Sequence, residues 1–385
     1  MPDKSSFFNR FFQRFFFCFG GLFILTLPQR FFLIPETGHF TLPWSTKIVS
    51  FLSGGKVDTI YSDSSGFVIW IGFILILSII LALLLTFLAR KDFFRFSVWN
   101  QIGAAYYLAL ILLMYGFNKI FLYQFSFPEP NILYTPIGQL NRDILYWSTM
   151  GTAPSYSIFA GIMEVIPAIL LLFRRTRVLG SLIAFFVLIH VLMTNIGFGI
   201  HVKFLSGFLL ILSSYIIFPH LKSIFQFFSG RHVRGISILD SPQIKGYFIL
   251  KPLMIGLILI EALGPAFSVG YFNGNEIPKP YFHGAYQLET NDENIERVFF
   301  NKDRYFITST HHDLFKSYRY ELSFAKQHQV IHLYEMSQEI GELRIEESSE
   351  HDVNQINFRG FIENDSVSWT GTKIPLDNLP IYQDP

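Results

Sequence analysis

Two side chains in otherwise lipid-like sequence have the chemistry to handle protons. Lys119 ends the run IGAAYYLALILLMYGFNK, and Glu164 lies inside YSIFAGIMEVIPA. A charged group at the centre of a membrane helix costs about 2.5–3.5 kcal/mol on insertion scales, so such residues snorkel, pair or work. Lys119 is near a helix end and can snorkel along its four-carbon stem. Glu164 is deeper and needs a partner. A lysine and a carboxylate that meet in a dry site either lock two helices or relay protons. Tyr115 lies one turn below Lys119 on the same face. Ala160, Gly161 and Ala168 surround Glu164 and let a neighbouring backbone come close. Pro167 removes a backbone donor and frees a carbonyl near that depth.

Further polar residues follow at similar depth. SLIAFFVLIHVLMTN carries His190 and Asn195, with Thr194 on the histidine's face; GIHVKF carries His201 and Lys203; LILIEALGP carries Glu261. Taken together, Lys119 and Glu164 are the candidate acid–base pair. Tyr115, Asn118, His190, Asn195 and Lys203 are the candidate binding residues, and no metal-ligand spacing appears. The plain alternatives stay open beside this. His190 alone reads as a satisfied interior histidine, Lys203 and His201 as interface anchors, Asn195 as an interhelical hydrogen bond, and His311 and His312 as surface residues.

The elements that must position these residues follow from composition. Of 385 residues, 51% are hydrophobic and 15% charged, with 45 Phe and a formal net charge of +1. That is membrane composition, and it offers no nucleic-acid surface. The single cysteine, Cys18, excludes an intrachain disulfide or dithiol relay, and no haem-attachment or Gly-rich nucleotide fingerprint exists. Seven segments approach the roughly 20 apolar residues a span needs: 12–34, 67–89, 101–123, 155–173, 177–196, 202–219 and 249–269. The first reads as an uncleaved signal anchor.

Lys and Arg placement sets orientation. Lys4, Arg10 and Arg14, then Arg90, Lys91 and Arg95, then Arg174, Arg175 and Arg177, then Lys222, Arg231, Arg234 and Lys245 alternate with the poorer loops 35–66, 124–154 and 197–201. The expectation is a cytoplasmic N-terminus in a bacterial inner membrane, with everything after residue 270 exported. The tail changes period. GAYQLET, RVFF, DRYFITST, YRYELSFA, QVIHLYEM, GELRIEE, NQINFRGFI and DSVSWTGTKIP alternate apolar and polar residues between turns. They predict an antiparallel meander, as a sandwich or a lipocalin-like barrel. The division expected is 1–100 (N-terminal spans and periplasmic loop), 101–220 (a four-helix core), 221–270 (cytoplasmic loop and last span) and 271–385 (periplasmic β-domain).

YGFNKIF, the outer loop ending WSTMG, GIMEVIPAILLLFRRTRVLG and the TN and HVKF pieces together resemble the DoxX-like membrane family. The likeness is to its long Bacteroidetes-type members with an extra β-domain. It covers about residues 101–220, and more loosely the chain. The resemblance implies a four-helix bundle core in the bacterial cytoplasmic membrane, and a function near thiosulfate:quinone oxidoreductase subunits or envelope redox maintenance. A more distant likeness, through YGFNK, is to the membrane domain of vitamin-K-dependent carboxylase-like proteins, where a lysine acts as a base near a quinol.

Three functions follow as expectations. In the first, a quinone enters from the bilayer, Lys119, His190 and Asn195 donate hydrogen bonds, and Glu164 exchanges protons; no cofactor is covalently held, and a partner or soluble substrate supplies the electrons. In the second, the chain is a scaffold whose β-domain binds an envelope or membrane protein through a sheet edge or concave face. The third, an anion permease drawn on Lys119 and Lys203, is disfavoured by the lack of an inverted repeat.

Overall fold

The computed structural model describes residues 7–27, 31–33, 38–57, 59–88, 93–231, 247–289, 295–310, 314–325, 328–347, 355–363 and 365–382. Lys4, Arg90, Lys91, Arg234, Lys245, His311 and His312 lie outside them. The chain divides into two compact units, residues 1–124 with 155–272, and residues 125–154 with 273–385. The segment 125–154, expected inside the 101–220 core, therefore groups with the C-terminal strands.

The first unit is helical. It comprises α1 (Phe7–Thr26), α2 (Gly38–Leu52), α3 (Ser65–Leu88), α4 (Phe93–Ile120), α7 (Pro154–Leu172), α8 (Arg177–Gly197), α9 (Lys203–Ile217), α10 (Leu221–Phe228) and α11 (Tyr247–Val269). Six described helices are long and apolar enough to cross a membrane: Ser65–Leu88, Phe96–Ile120, Pro154–Leu172, Arg177–Gly197, Lys203–Phe228 and Phe248–Glu276. Helices are the form such segments take because each pairs its own backbone groups. The segment expected as a seventh span forms α1, a 20-residue helix that carries Arg10, Gln13 and Arg14. Those three residues keep it below the apolarity of the other six. The segment 35–66, expected as an outer loop, holds an unforeseen helix, α2.

α4 is well enclosed by its neighbours: Leu108, Ala109, Ile111 and Leu113 are completely buried. α1, α9 and α11 pack on it. Phe23 of α1 stacks on Phe208 of α9 with ring centroids 4.1 Å apart. Polar residues also join these helices. Asn100 donates to the Gln13 carbonyl at 3.0 Å and to the Tyr215 hydroxyl at 2.9 Å, and that hydroxyl donates to Gln13 Oε1.

The second unit holds α5 (Pro130–Leu133), α6 (Arg142–Gly151) and eight strands: β1 (Gly284–Glu289), β2 (Arg297–Phe300), β3 (Tyr305–Ser309), β4 (Phe315–Ala325), β5 (His328–Glu335), β6 (Gln338–Glu347), β7 (Gln355–Ile362) and β8 (Asp365–Ile374). Each pairs antiparallel with the next, and β1 pairs with β8 through Ala285 opposite Ile374, so the meander closes into a barrel. Closure settles sandwich against barrel. It also removes the free edge through which a partner strand was expected to add.

An eight-stranded barrel is just wide enough for side chains to fill. Here the inward positions are large and apolar, including Tyr286, Phe300, Phe306, Leu333, Phe358 and Trp369, all in one buried cluster. Fully burying such side chains stabilises by about 1.5–3 kcal/mol each. Outside the sheet, Tyr134 from the 125–154 segment packs on Phe299 at 5.9 Å, and the Arg297 guanidinium lies 5.2 Å from the Tyr134 ring.

That segment is tied to the barrel by charge as well. Glu129 accepts from His283 at 3.1 Å and from the Lys302 backbone N–H at 3.1 Å, with Lys302 Nζ 3.6 Å away. Burial pushes the Glu129 carboxyl up, but the His283 and Lys302 hydrogen bonds and charges outweigh it and hold the group below its ordinary 4.5. A depressed carboxyl contributes stability that is complete above its unfolded value and is lost as pH falls through its folded value. The barrel unit should therefore weaken in acid below about pH 4.5, and Glu129→Gln should flatten that dependence. Thermal melts from pH 3 to 7 followed by tryptophan fluorescence test this; parallel pH curves for the two proteins would refute it.

Candidate functional site

α4 and α7 meet glycine to glycine. A Cβ on Gly116 would stand 3.0 Å from the Gly161 carbonyl oxygen, and one on Gly161 only 2.5 Å from the Gly116 carbonyl oxygen. No larger residue fits between the two backbones. The same approach sets Gly116 beside the Glu164 Cβ and Gly161 beside the Ile120 backbone, so that Lys119 and Glu164 meet within the crossing. Lys119 Nζ donates to Glu164 Oε2 at 2.9 Å, with side-chain exposures of 9% and 5%. Lys119 therefore pairs; it does not snorkel. Its ammonium also lies 5.5 Å from the centre of the Tyr115 ring, within cation–π range.

The end of α4 is fixed by its own turn. Leu122 adopts φ +54°, and the chain folds back so that Tyr123 and Gln124 N–H both donate to the Asn118 carbonyl, at 2.9 and 3.0 Å. Asn118 thus contributes its backbone to the helix terminus. In α7, Pro167 leaves the turn before it one backbone bond short. The α8 backbone passes close by, where a Cβ on Gly180 would lie 2.8 Å from the Pro167 carbonyl oxygen.

Tyr107 joins this row although sequence reasoning passed over it. Tyr107, Tyr115 and Lys119 recur at multiples of four along α4, a ridge that winds slowly around the helix. Tyr115 is within electrostatic reach of Glu164, and Tyr107 of Tyr115. The Tyr107 ring meets Phe208 edge-on at 6.2 Å. Its hydroxyl is enclosed and has no hydrogen-bond partner among the described residues. The four-residue spacing was the available signal, hidden because tyrosine sits naturally among apolar residues.

The other expected site residues are held elsewhere. His190 is exposed on α8. Asn195 is buried and donates to Ser206 Oγ at 3.1 Å, the interhelical bond anticipated as its plain role. Lys203 pairs with Asp63 at 3.5 Å and donates to the Ile200 carbonyl at 2.9 Å. Asp63 also accepts from the Lys203 and Phe204 backbone N–H groups at 2.7 and 3.1 Å. It caps the start of α9 from a loop far away in sequence, a pairing no local pattern announces. Glu261 accepts from the backbone N–H groups of Phe32 and, at 2.9 Å, Leu33. Arg177 is buried, with Nε donating to the Leu171 carbonyl at 3.3 Å. The site the structure assembles is therefore Lys119, Glu164 and Tyr115, extended by Tyr107. Among the described residues no group of three or more His, Cys, Asp or Glu side chains is placed to hold a metal ion.

Comparison with known proteins adds one relative. An uncharacterized protein of Bacillus subtilis (strain 168), YwoB, is 29% identical over 120 residues, which is 31% of this chain and 76% of that protein. No family model matches the chain, and no solved structure does.

Proposed function

We propose that the chain is a polytopic bacterial inner-membrane protein with a DoxX-like core of α4, α7, α8 and α9, and that it serves a quinone-linked redox or envelope redox-maintenance system as a subunit. The observation that carries this reading is the Tyr107 hydroxyl, enclosed without a hydrogen-bond partner among the described residues, on the ridge that leads to Lys119 and Glu164. A buried donor left unpaired costs about 1–3 kcal/mol, so such a group fits a ligand that brings an acceptor. A quinone carbonyl is such an acceptor, and its flat ring suits the aromatic surroundings of Tyr107 and Phe208. A bound quinone would supply two-electron, two-proton capacity, with electrons arriving from a partner or soluble donor. Tyr107 would orient the head group, and the Lys119–Glu164 pair would hold protons for exchange with the nearer water phase. The Lys and Arg bias supports a cytoplasmic N-terminus, with α1 as a seventh span and the barrel in the periplasm.

The test is extraction in mild detergent and mass spectrometry of co-purifying quinone. Wild type should retain quinone, and Tyr107→Phe, losing one hydrogen bond, should retain about tenfold less at equal yield. Equal retention, or none in wild type, would sink the reading.

The Gly116–Gly161 crossing favours a second reading, in which the ion pair only locks two helices and the barrel exterior holds an envelope partner. In that case one stoichiometric protein, and no quinone, remains with both wild type and Tyr107→Phe.

A further inference from the structure

We propose that Ser323, His332 and Glu339 form a nucleophilic triad on the outer face of the barrel, competent to hydrolyse small neutral or cationic carboxylic esters. Ser323 Oγ lies 3.0 Å from His332 Nε2, and His332 Nδ1 lies 2.7 Å from Glu339 Oε1. With a carboxylate on Nδ1, the imidazole keeps its proton there and turns the Nε2 lone pair to the serine hydroxyl. This is the nucleophile, base and orienting acid of acyl-transfer sites, supplied here by β4, β5 and β6.

A Ser–His contact between neighbouring strands is ordinary. The third member is not, because a regular β6 would point Glu339 into the barrel. Glu342 lies opposite His332 and Gly341 opposite Leu333, but the register then shifts, and Glu339 rather than Ile340 lies opposite Tyr334. The extra residue, Ile340, packs against the barrel core. The bulge thereby turns Glu339 outward onto His332, the re-aiming such irregularities perform beside functional groups. Gly341 adjoins the bulge, where a Cβ would meet the Phe361 carbonyl oxygen at 2.7 Å.

The same face carries the remaining chemistry. Ser323, Val330 and Arg344 form one row across three strands. The Arg344 side chain is 64% exposed and its ion pair with Glu342 is long, at 3.9 Å, so it can swing toward a carbonyl oxygen that becomes negative. Glu321 and Glu342 flank His332 directly on either side. They repel anionic substrates and so set the substrate class. In the reaction Ser323 Oγ adds to the ester carbonyl as its proton passes to His332. The bond to the alcohol breaks, and the alcohol leaves with that proton. Water then adds in the same way, losing a proton to His332, and the acid departs as Ser323 is restored. One ester and one water give one acid and one alcohol.

The full-length protein in detergent is treated with a fluorophosphonate probe and, separately, with p-nitrophenyl acetate. Label should appear on the Ser323 peptide and vanish in Ser323→Ala. Labelling and hydrolysis should slow at least tenfold in His332→Gln and in Glu339→Gln, with part of the rate restored in Glu339→Asp. Unchanged melting temperatures would keep these losses from reflecting misfolding. Absence of label on Ser323, or labelling indifferent to His332→Gln, would overturn the proposal.

Discussion

Glu164→Gln alone should destabilise the helical unit by about 3–5 kcal/mol, because it strands the Lys119 ammonium in a dry site. The double variant Lys119→Met, Glu164→Leu should return close to wild type, since removing both members of a buried pair is often neutral or stabilising. The physical basis is the enclosure of both groups and their 2.9 Å contact. Denaturant titration in detergent micelles reads the two stabilities, and quinol-coupled turnover separates the two functional readings. If the pair handles protons, the double variant is stable and inactive. If the pair only locks α4 to α7, the double variant is stable and works. Equal losses in the single and double variants would show that the pair's attraction exceeds its desolvation cost, against this expectation.

The second large effect belongs to the glycine crossing. Gly161→Leu has nowhere to place its side chain: even its Cβ would lie 2.5 Å from the Gly116 carbonyl oxygen and 2.8 Å from Ile120 Cγ1. The helices must separate, and a loss of about 1–3 kcal/mol or more follows from overpacking alone. Separation also draws Lys119 from Glu164, so the variant should lose most of the ion pair's contribution without altering either charge. Gly207→Ala is the matching control, because a Cβ there meets nothing within 4 Å. It should be neutral or slightly stabilising through helix propensity. A Gly161→Leu protein as stable as Gly207→Ala would mean that the two backbones do not touch at this point.

Much of this architecture was legible in the sequence, for identifiable reasons. Apolar runs marked six helices because lipid-facing and core-facing positions are both apolar. Alternation marked the strands because each has one face inside the barrel; β2 and β3 keep it least, since their outward Phe299 and Ile307 are buried as well. Lys119 and Glu164 could be brought together because orientation put them at one depth and Gly161 allowed close approach. What stayed hidden depends on which way an apolar helix faces or on contacts far apart in sequence. His190 faces outward on a helix that is apolar all round, so no period reveals its side. Asp63 reaches the start of α9 from 140 residues earlier in the chain. The Gln13, Asn100 and Tyr215 cluster joins residues scattered over two hundred positions. Glu339 was unreadable for a different reason: a single bulge breaks the two-residue period on which strand reading depends.

The grouping of residues 125–154 with the barrel imposes an order on biogenesis. Glu129 and Tyr134 are synthesised well before His283, Arg297, Phe299 and Lys302, the residues that neutralise and cover them. Until β1 and β2 emerge, a charged and aromatic segment waits without its complement, and β1 then waits for β8 to close the ring. Contacts so distant in sequence are slow to form and leave exposed surface while they do. A ribosome stalled before β8 would therefore leave β1 without its second partner strand and open to misassociation.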